Sequence, residues 1–365
     1  MSIDTTPEAA AADTAAALDQ QAVEQFVMKV ATDLGIGHNG VLAYLGDRLG
    51  LWRALADAPG CTSDDLAARC GFAERYVREW LAAQAAAGYV HYDPTTRGFT
   101  LPPEHAAVLA DDESPVALAS GFEVLASVWA TVDGLAHAYA TGGGVGWHEH
   151  DARLFTGFER FFRPVLRGQL VQEWLPAVPG LVDRLTSGIR VLDVGCGLGT
   201  ATILMAEAFP ASTFVGVDYH PESVRRATAA AAEAGVADRL HFEVADAASY
   251  DGAFDLVVFV DVVHDLGDPV GALAHAREHL AEGGSVLVIE PQAADRLEDN
   301  LHPLGLTWYA SGHSICVAHS MSQGGAALGA QAGPARISGV VSQAGFGEVT
   351  KVADSLLNFV LSARP

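Results

Sequence analysis

Between Ile189 and Ala201 the chain reads Ile-Arg-Val-Leu-Asp-Val-Gly-Cys-Gly-Leu-Gly-Thr-Ala, and no other stretch restricts its possible folds as strongly. Val191 to Val194 is an apolar run of the length of a buried parallel strand. It breaks into Gly195, Gly197 and Gly199 before an Ala-rich helical pattern starts at Thr200. Strand, glycine turn and helix in that order open a ligand site in an α/β sheet, because glycine permits a sharp bend and lets a ligand lie against bare backbone. The spacing is G-x-G-x-G. A dinucleotide fingerprint needs G-x-G-x-x-G, with its third glycine one residue later.

Strand and helix patterns alternate from there to the end. Strands are expected near 190–194, 213–217, 240–244, 254–260 and 285–290, with helices near 200–208, 222–234 and 269–281. A segment at 291–333 rich in Gly, Ala, His and Ser precedes a helix at about 334–344 and two last strands near 347–353 and 357–363. This predicts a doubly wound, Rossmann-like α/β sheet closed by a C-terminal antiparallel hairpin. The second strand, Phe214 onward, ends in Asp218, some twenty residues past the glycines, where an acid can accept from ribose hydroxyls. Tyr219 follows, where a ring can pack on adenine, and the third strand ends similarly in Asp246.

With Asp193 ahead of the glycines, residues 189–290 resemble the class I S-adenosylmethionine (SAM) methyltransferases. The resemblance implies SAM as cofactor and assigns Asp193, Gly195, Gly197, Gly199, Asp218, Tyr219, Asp246, Ala247 and Asp261 to its binding.

Composition narrows the partners. The net charge of −24 argues against a nucleic-acid partner, which calls for a basic face, whereas SAM carries a sulfonium and an ammonium cation. Nothing reaches the roughly 18 uninterrupted apolar residues of a membrane helix, and no basic n-region with an apolar block opens the chain, so a cytoplasmic protein without membrane partners is expected. Cys61, Cys70, Cys196 and Cys316 have no zinc spacing and are expected to be free thiols, with no metal site.

Residues 1–20 are expected to form a disordered tail and 21–103 a winged-helix domain. Val23, Phe26, Val27 and Val30 predict a core helix, interrupted at Gly35, Gly37 and Gly40 before Val41, Leu42, Leu45 and Leu49 resume it. Thr62 caps a short helix to Cys70, Gly71-Phe72 turns the chain, and a second helix spans Ala73 to Ala87. Tyr89–Tyr92 and Phe99–Leu101 then read as a wing around an Asp93–Gly98 turn, so the segment resembles a winged helix. Its second helix buries Val77, Trp80, Leu81 and Gln84 and turns Glu74, Arg75, Arg78, Glu79 and Ala83 outward, cancelling two arginines with two glutamates. A module that pairs subunits into a homodimer and roofs the active site is preferred to a DNA reader.

Residues 104–175 are expected to form a helical linker and lid. Ser120 to Ala140 carries Phe122, Leu125, Val128, Trp129, Val132 and Leu135 at helical spacing. His148, Glu149 and His150 read as a polar lid, and the aromatic run Leu154 to Phe162 as core or subunit contact that can partly line a cavity. A helix over Val165 to Leu175 leads into the catalytic domain at 176–365.

The fourth strand continues as Asp261-Val262-Val263-His264-Asp265-Leu266-Gly267-Asp268, similar to winged-helix small-molecule O-methyltransferases, in which this histidine is the general base. Glu290 matches the glutamate that ends their fifth strand and flanks the histidine. The resemblance implies in-line methyl transfer to a small organic acceptor, most naturally a hydroxyl, with His264 as base and Glu290 or Asp265 orienting it. Leu266, where plant-type enzymes place tryptophan, and the 291–333 insertion are departures, so phenolic acceptors are not carried over. From the insertion Asn300, His302, Trp308, Tyr309, His313 and Met321 are candidates for the acceptor pocket, by position beyond the strand ends. The alternatives are a SAM-sensing winged-helix transcriptional regulator and an N- or C-methyltransferase.

Overall fold

The computed structural model describes residues 18–365, and most of the expected tail, 1–17, lies outside them. Helix α1 (Gln20–Arg48) starts where Asp19 caps it by accepting from the N–H groups of Gln21 and Ala22. It runs unbroken through Gly35, Gly37 and Gly40. Glycine costs about 1 kcal/mol in a helix relative to alanine, which weakens a long run without ending it.

The expected core role of its first half is overturned. Val23, Phe26, Val27 and Val30 are 38%, 65%, 57% and 40% exposed, because nothing among the described residues packs there. Burial begins at Asn39 and follows Gly40, Ala43, Gly46 and Asp47, not the bulkier Val41, Leu42, Leu45 and Leu49. The reason is a pair of tryptophans, Trp52 and Trp80, edge to face at 4.6 Å. A Cβ on Gly46 would stand 2.6 Å from Trp52 Nε1, so only small residues can face them.

Helices α2 (Leu51–Ala56), α3 (Ser63–Cys70) and α4 (Glu74–Ala86) and the hairpin β1 (His91–Asp93) and β2 (Gly98–Thr100) complete the winged domain. A capping box between Thr62 and Asp65 starts α3. As its spacing predicts, α4 buries Val77, Trp80, Leu81 and Gln84.

The middle segment holds α5 (Pro103–Leu109), α6 (Gly121–Ala130), α7 (Val132–Thr141) and α8 (Arg153–Gln169). Helix α8 begins well before the expected Val165, passes through Pro164 and ends in a π turn at Leu170–Trp174. The aromatic run is therefore helical. Phe155, Phe158 and Phe162 fall at i, i+3 and i+7 on one face.

After α9 (Leu181–Ser187) come β3 (Arg190–Val194), α10 (Thr200–Ala208), β4 (Thr213–Asp218), α11 (Pro221–Glu233), β5 (Leu240–Val244), β6 (Phe254–Val260), α12 (Pro269–Glu278) and β7 (Leu280–Pro291). The insertion is mostly helical, with α13 (Pro303–Gly312), a π turn at His313–Val317 and α14 (Ala318–Ser322). Helix α15 (Gly333–Gln343) and strands β8 (Glu348–Asp354) and β9 (Asn358–Arg364) end the chain.

The seven strands lie in the order β5-β4-β3-β6-β7-β9-β8. The first five are parallel, while β9 runs antiparallel to both β7 and β8. Alternate residues feed opposite faces of the sheet. Leu192, Val194, Val257 and Phe259 pack in one layer, and Val191, Leu256, Val258 and Leu287 in the other. The order reverses beside β3, and crevices for ligands form at the carboxyl ends of strands where that happens.

Candidate active site

A cavity of about 690 Å³ opens at this reversal, a size suited to small molecules. The turn after β3 forms its floor. Gly195, Gly197 and Gly199 adopt φ of 72°, 54° and 81°, the left-handed region that a side chain disfavours. Gly195 and Gly197 reach the cavity wall; Gly195 and Gly199 are also packing positions, whose added Cβ would stand 2.7 Å from Val262 Cγ2 and 2.5 Å from Phe242 Cζ.

Asp218 holds this turn. Its two carboxylate oxygens accept from the N–H of Gly197 and of His220, both at 2.9 Å, and spare lone pairs remain for a ligand. Burial raises its pKa, while these bonds oppose the shift. Tyr219 stacks on His319 with ring centres 5.8 Å apart, and Asp246 and Ala247 line the same wall at the end of β5.

Asp193 is buried and Asp261 half-buried along the cavity, each with an Oδ1 that finds no hydrogen-bond partner among the described residues. Burial pushes both up to about 7. Asp261 also sits at φ 60°, a strained backbone for a residue other than glycine. With Glu159, Asp218, Asp246, Asp265 and Asp268 also in the wall, and neither lysine nor arginine among its lining residues, the cavity suits a ligand bearing positive charge.

His264 follows β6 and is 2% exposed. Its Nδ1 lies 2.5 Å from Glu290 Oε2, and its Nε2 lies 3.2 Å from Asp265 Oδ1. Glu290 stands behind the ring, outside the cavity wall, where its other oxygen accepts from the N–H groups of Val262 and Val263. Burial alone would lower the imidazole's pKa. Asp265 and Glu290 outweigh it and hold the ring well above 6.5.

The structure separates the acceptor candidates. Trp308 lines the cavity, its Nε1 donating to the Gln292 carbonyl. The wall does not include Asn300, His302, Tyr309, His313 or Met321, which corrects their placement by position. Asn300 bonds Ala294 and Arg296 to fold its loop, His302 caps α13, and His313 meets the Tyr139 hydroxyl. The contacts of Asn300 and His302 are short-range, a common use of polar residues in an insertion.

The lid supplies much of the remaining wall. Phe155, Phe158 and Phe162 line the cavity with Trp147, and α14 closes it through His319, whose Nδ1 accepts from the Trp147 N–H. The i, i+3, i+7 spacing of the three phenylalanines was the available signal. Cys316, Gln323 and Asn358 also reach the wall and carried none. In the His148–His150 lid, His150 Nδ1 pairs with the Thr131 hydroxyl and Glu149 accepts from the Gly146 N–H.

Residues 185–327 match the family described as Methyltransferase domain, and residues 37–111 the Rv2258c-like winged HTH domain. Residues 185–327 are thus similar to a methyltransferase domain, and the segment ahead of them is similar to a winged helix. Among relatives, 27-O-demethylrifamycin SV methyltransferase of Amycolatopsis mediterranei is 35% identical over 117 residues, 30% of this chain and 43% of that one. The chain spans less than half the length of the curated relatives it matches. Over nearly its whole length the fold is that of a putative O-methyltransferase of Nostoc punctiforme, with TM-score 0.70, 20% identity, and coverage of 92% of this chain and 98% of that one. Human N-acetylserotonin methyltransferase, solved in complex with SAM, aligns with TM-score 0.67 and 19% identity over 96% of this chain and 99% of its own.

Proposed function

We propose that the chain transfers a methyl group from SAM to a small organic acceptor, at a hydroxyl oxygen, with His264 as the general base. The carrying observation is that a glycine turn and the strand-end acids Asp218 and Asp246 open on the same cavity as the buried His264–Glu290 pair. Bound SAM would supply a methyl activated by a positively charged sulfur, open to in-line displacement.

The residues present fit that cofactor. The bare backbone of Gly197, where an added Cβ would meet nothing within 4 Å, leaves room for its amino-acid chain, and the Oδ1 atoms of Asp193 and Asp261, unpartnered among the described residues, suit an ammonium group. Asp218 has capacity for ribose hydroxyls, Tyr219 for the adenine ring, and Asp246 with Ala247 for its edge. His264 takes the acceptor's proton on Nε2, while Glu290 steadies the charge formed on the ring. A cation in the neighbouring cavity makes the imidazole give up its own extra proton more readily. The aromatic face of α8 excludes water and positions the acceptor. SAM-dependent structural relatives such as human N-acetylserotonin methyltransferase agree with this reading.

Asp218→Ala removes two acceptors that shape the turn and the acid offered to the ligand. A hydrogen bond to a charged group contributes about 1.5–3 kcal/mol, so affinity for S-adenosylhomocysteine should fall roughly 10- to 100-fold by calorimetry. Equal affinity in a folded variant would refute the cofactor assignment.

The winged domain serves in this reading as a subunit contact and roof. On α4, Arg78 pairs with Glu74 and Arg75 with Glu79, leaving little free positive charge for a duplex. Val23, Phe26, Val27, Val30 and Leu34 form an exposed apolar stripe along α1 that a second copy can cover. Light scattering on the full chain should return twice the 38.1 kDa monomer mass, and a monomer at micromolar concentration would remove the homodimer.

A further inference from the structure

We propose that His264, Asp265 and Cys316 form a binding site for one thiophilic divalent cation of the zinc type, and that filling it silences the transferase. One ring nitrogen, one carboxylate oxygen and the thiol sulfur lie within 4.8 Å of one another, and all three residues are buried. The ring nitrogen on that side is Nε2, 3.2 Å from Asp265 Oδ1. This goes against the expectation of no metal site, which rested on cysteine spacing. Cys316 reaches His264 only through the π turn that follows α13, so no spacing announces it.

Three further observations favour a cation over a closed hydrogen-bonded trio. Asp265 is more than nine-tenths buried, and its Oδ1, 3.2 Å from Nε2, meets no donor at hydrogen-bonding geometry among the described residues, so a buried carboxylate oxygen is turned to the ring. The far ring nitrogen, Nδ1, faces Glu290, the arrangement that orients metal-binding histidines. The cluster borders the cavity, so one side stays open for a fourth ligand, as in three-ligand zinc sites built from nitrogen, oxygen and sulfur donors. Coordination exchanges the Sγ proton, and the Nε2 proton where the ring is charged, for bonds to the metal, and those protons pass to solvent.

A metal on Nε2 leaves the ring no site for the acceptor's proton. That consequence rests on the methyl-transfer reading, whereas the binding itself does not. The test is to titrate cobalt(II) into the metal-free full-length protein and follow the near-ultraviolet thiolate-to-cobalt charge-transfer band. One ion per chain is expected, displaced by zinc. The band should vanish in Cys316→Ser and persist in Cys70→Ser, whose thiol lies in the winged domain. Asp265→Asn keeps the thiolate and should move the titration to higher cobalt, which decides the matter if Cys316→Ser does not fold. No band in the wild type, or a band that survives Cys316→Ser, overturns the site. Where S-adenosylhomocysteine release is measurable, zinc should abolish it with the midpoint of the binding curve, and a chelator should restore it. Undiminished turnover at full occupancy overturns the inhibition. A protein without turnover but with the cobalt band would count against methyl transfer while supporting the metal site.

Discussion

Replacing His264 by glutamine is expected to lower turnover by about 10²–10⁴-fold, the usual contribution of a positioned general base. Glutamine is the informative choice. Its amide can still donate to Glu290, whose Oε2 now lies 2.5 Å from Nδ1, so the buried acid keeps a partner while no group is left to accept the acceptor's proton. Affinity for S-adenosylhomocysteine should survive, because the glycine turn, Asp218 and Asp246 do not depend on the ring. Loss of turnover with retained binding separates proton transfer from cofactor binding. Turnover equal to wild type would show that alignment alone carries the reaction, and His264 would then be a wall residue.

Glu290→Leu should strike stability first. Glu290 is 1% exposed and accepts from two backbone N–H groups and the imidazole, at 3.3, 2.8 and 2.5 Å. Leucine fills similar space but strands those donors, and breaking a buried ion pair from one side costs about 3–5 kcal/mol. Urea unfolding followed by a probe in the catalytic domain should show the midpoint fall accordingly. Glu290→Gln, which keeps one acceptor oxygen, should recover part of the loss. If leucine leaves the midpoint in place, the glutamate's charge is not what steadies the turn after β6.

Much of the catalytic domain was legible in the chain. The strands at 190–194, 240–244 and 254–260 and helix 200–208 lie where the apolar runs and glycines put them, and the C-terminal hairpin follows within a residue. The inner strands β3 and β6, buried on both faces, leave an apolar run as their signature, and a glycine turn marks where β3 must stop. Helix α1 was misread for the same physical reason in reverse. Its apolar stripe is real, yet periodicity reports an amphipathic face without saying what covers it. Around Gly46 the buried residues are the small ones, because the space belongs to Trp52 and Trp80. In the insertion, polar residues were weighed by chain position alone, and caps such as His302 look no different in sequence from ligands.

The sequence by itself determined the alternation of strand and helix, the left-handed glycine turn, and the placing of Asp218, Asp246 and His264 at strand ends. These are consequences of local backbone preference and of unbroken apolar runs, which neighbouring residues carry among themselves. Only the tertiary structure decided that it is Glu290 and not Asp265 that bonds the ring's Nδ1, that Cys316 arrives at its front, and that the phenylalanines of α8 close the cavity. Those contacts join residues tens to more than a hundred positions apart, and they exist only because packing the lid and the insertion over the sheet brings them together.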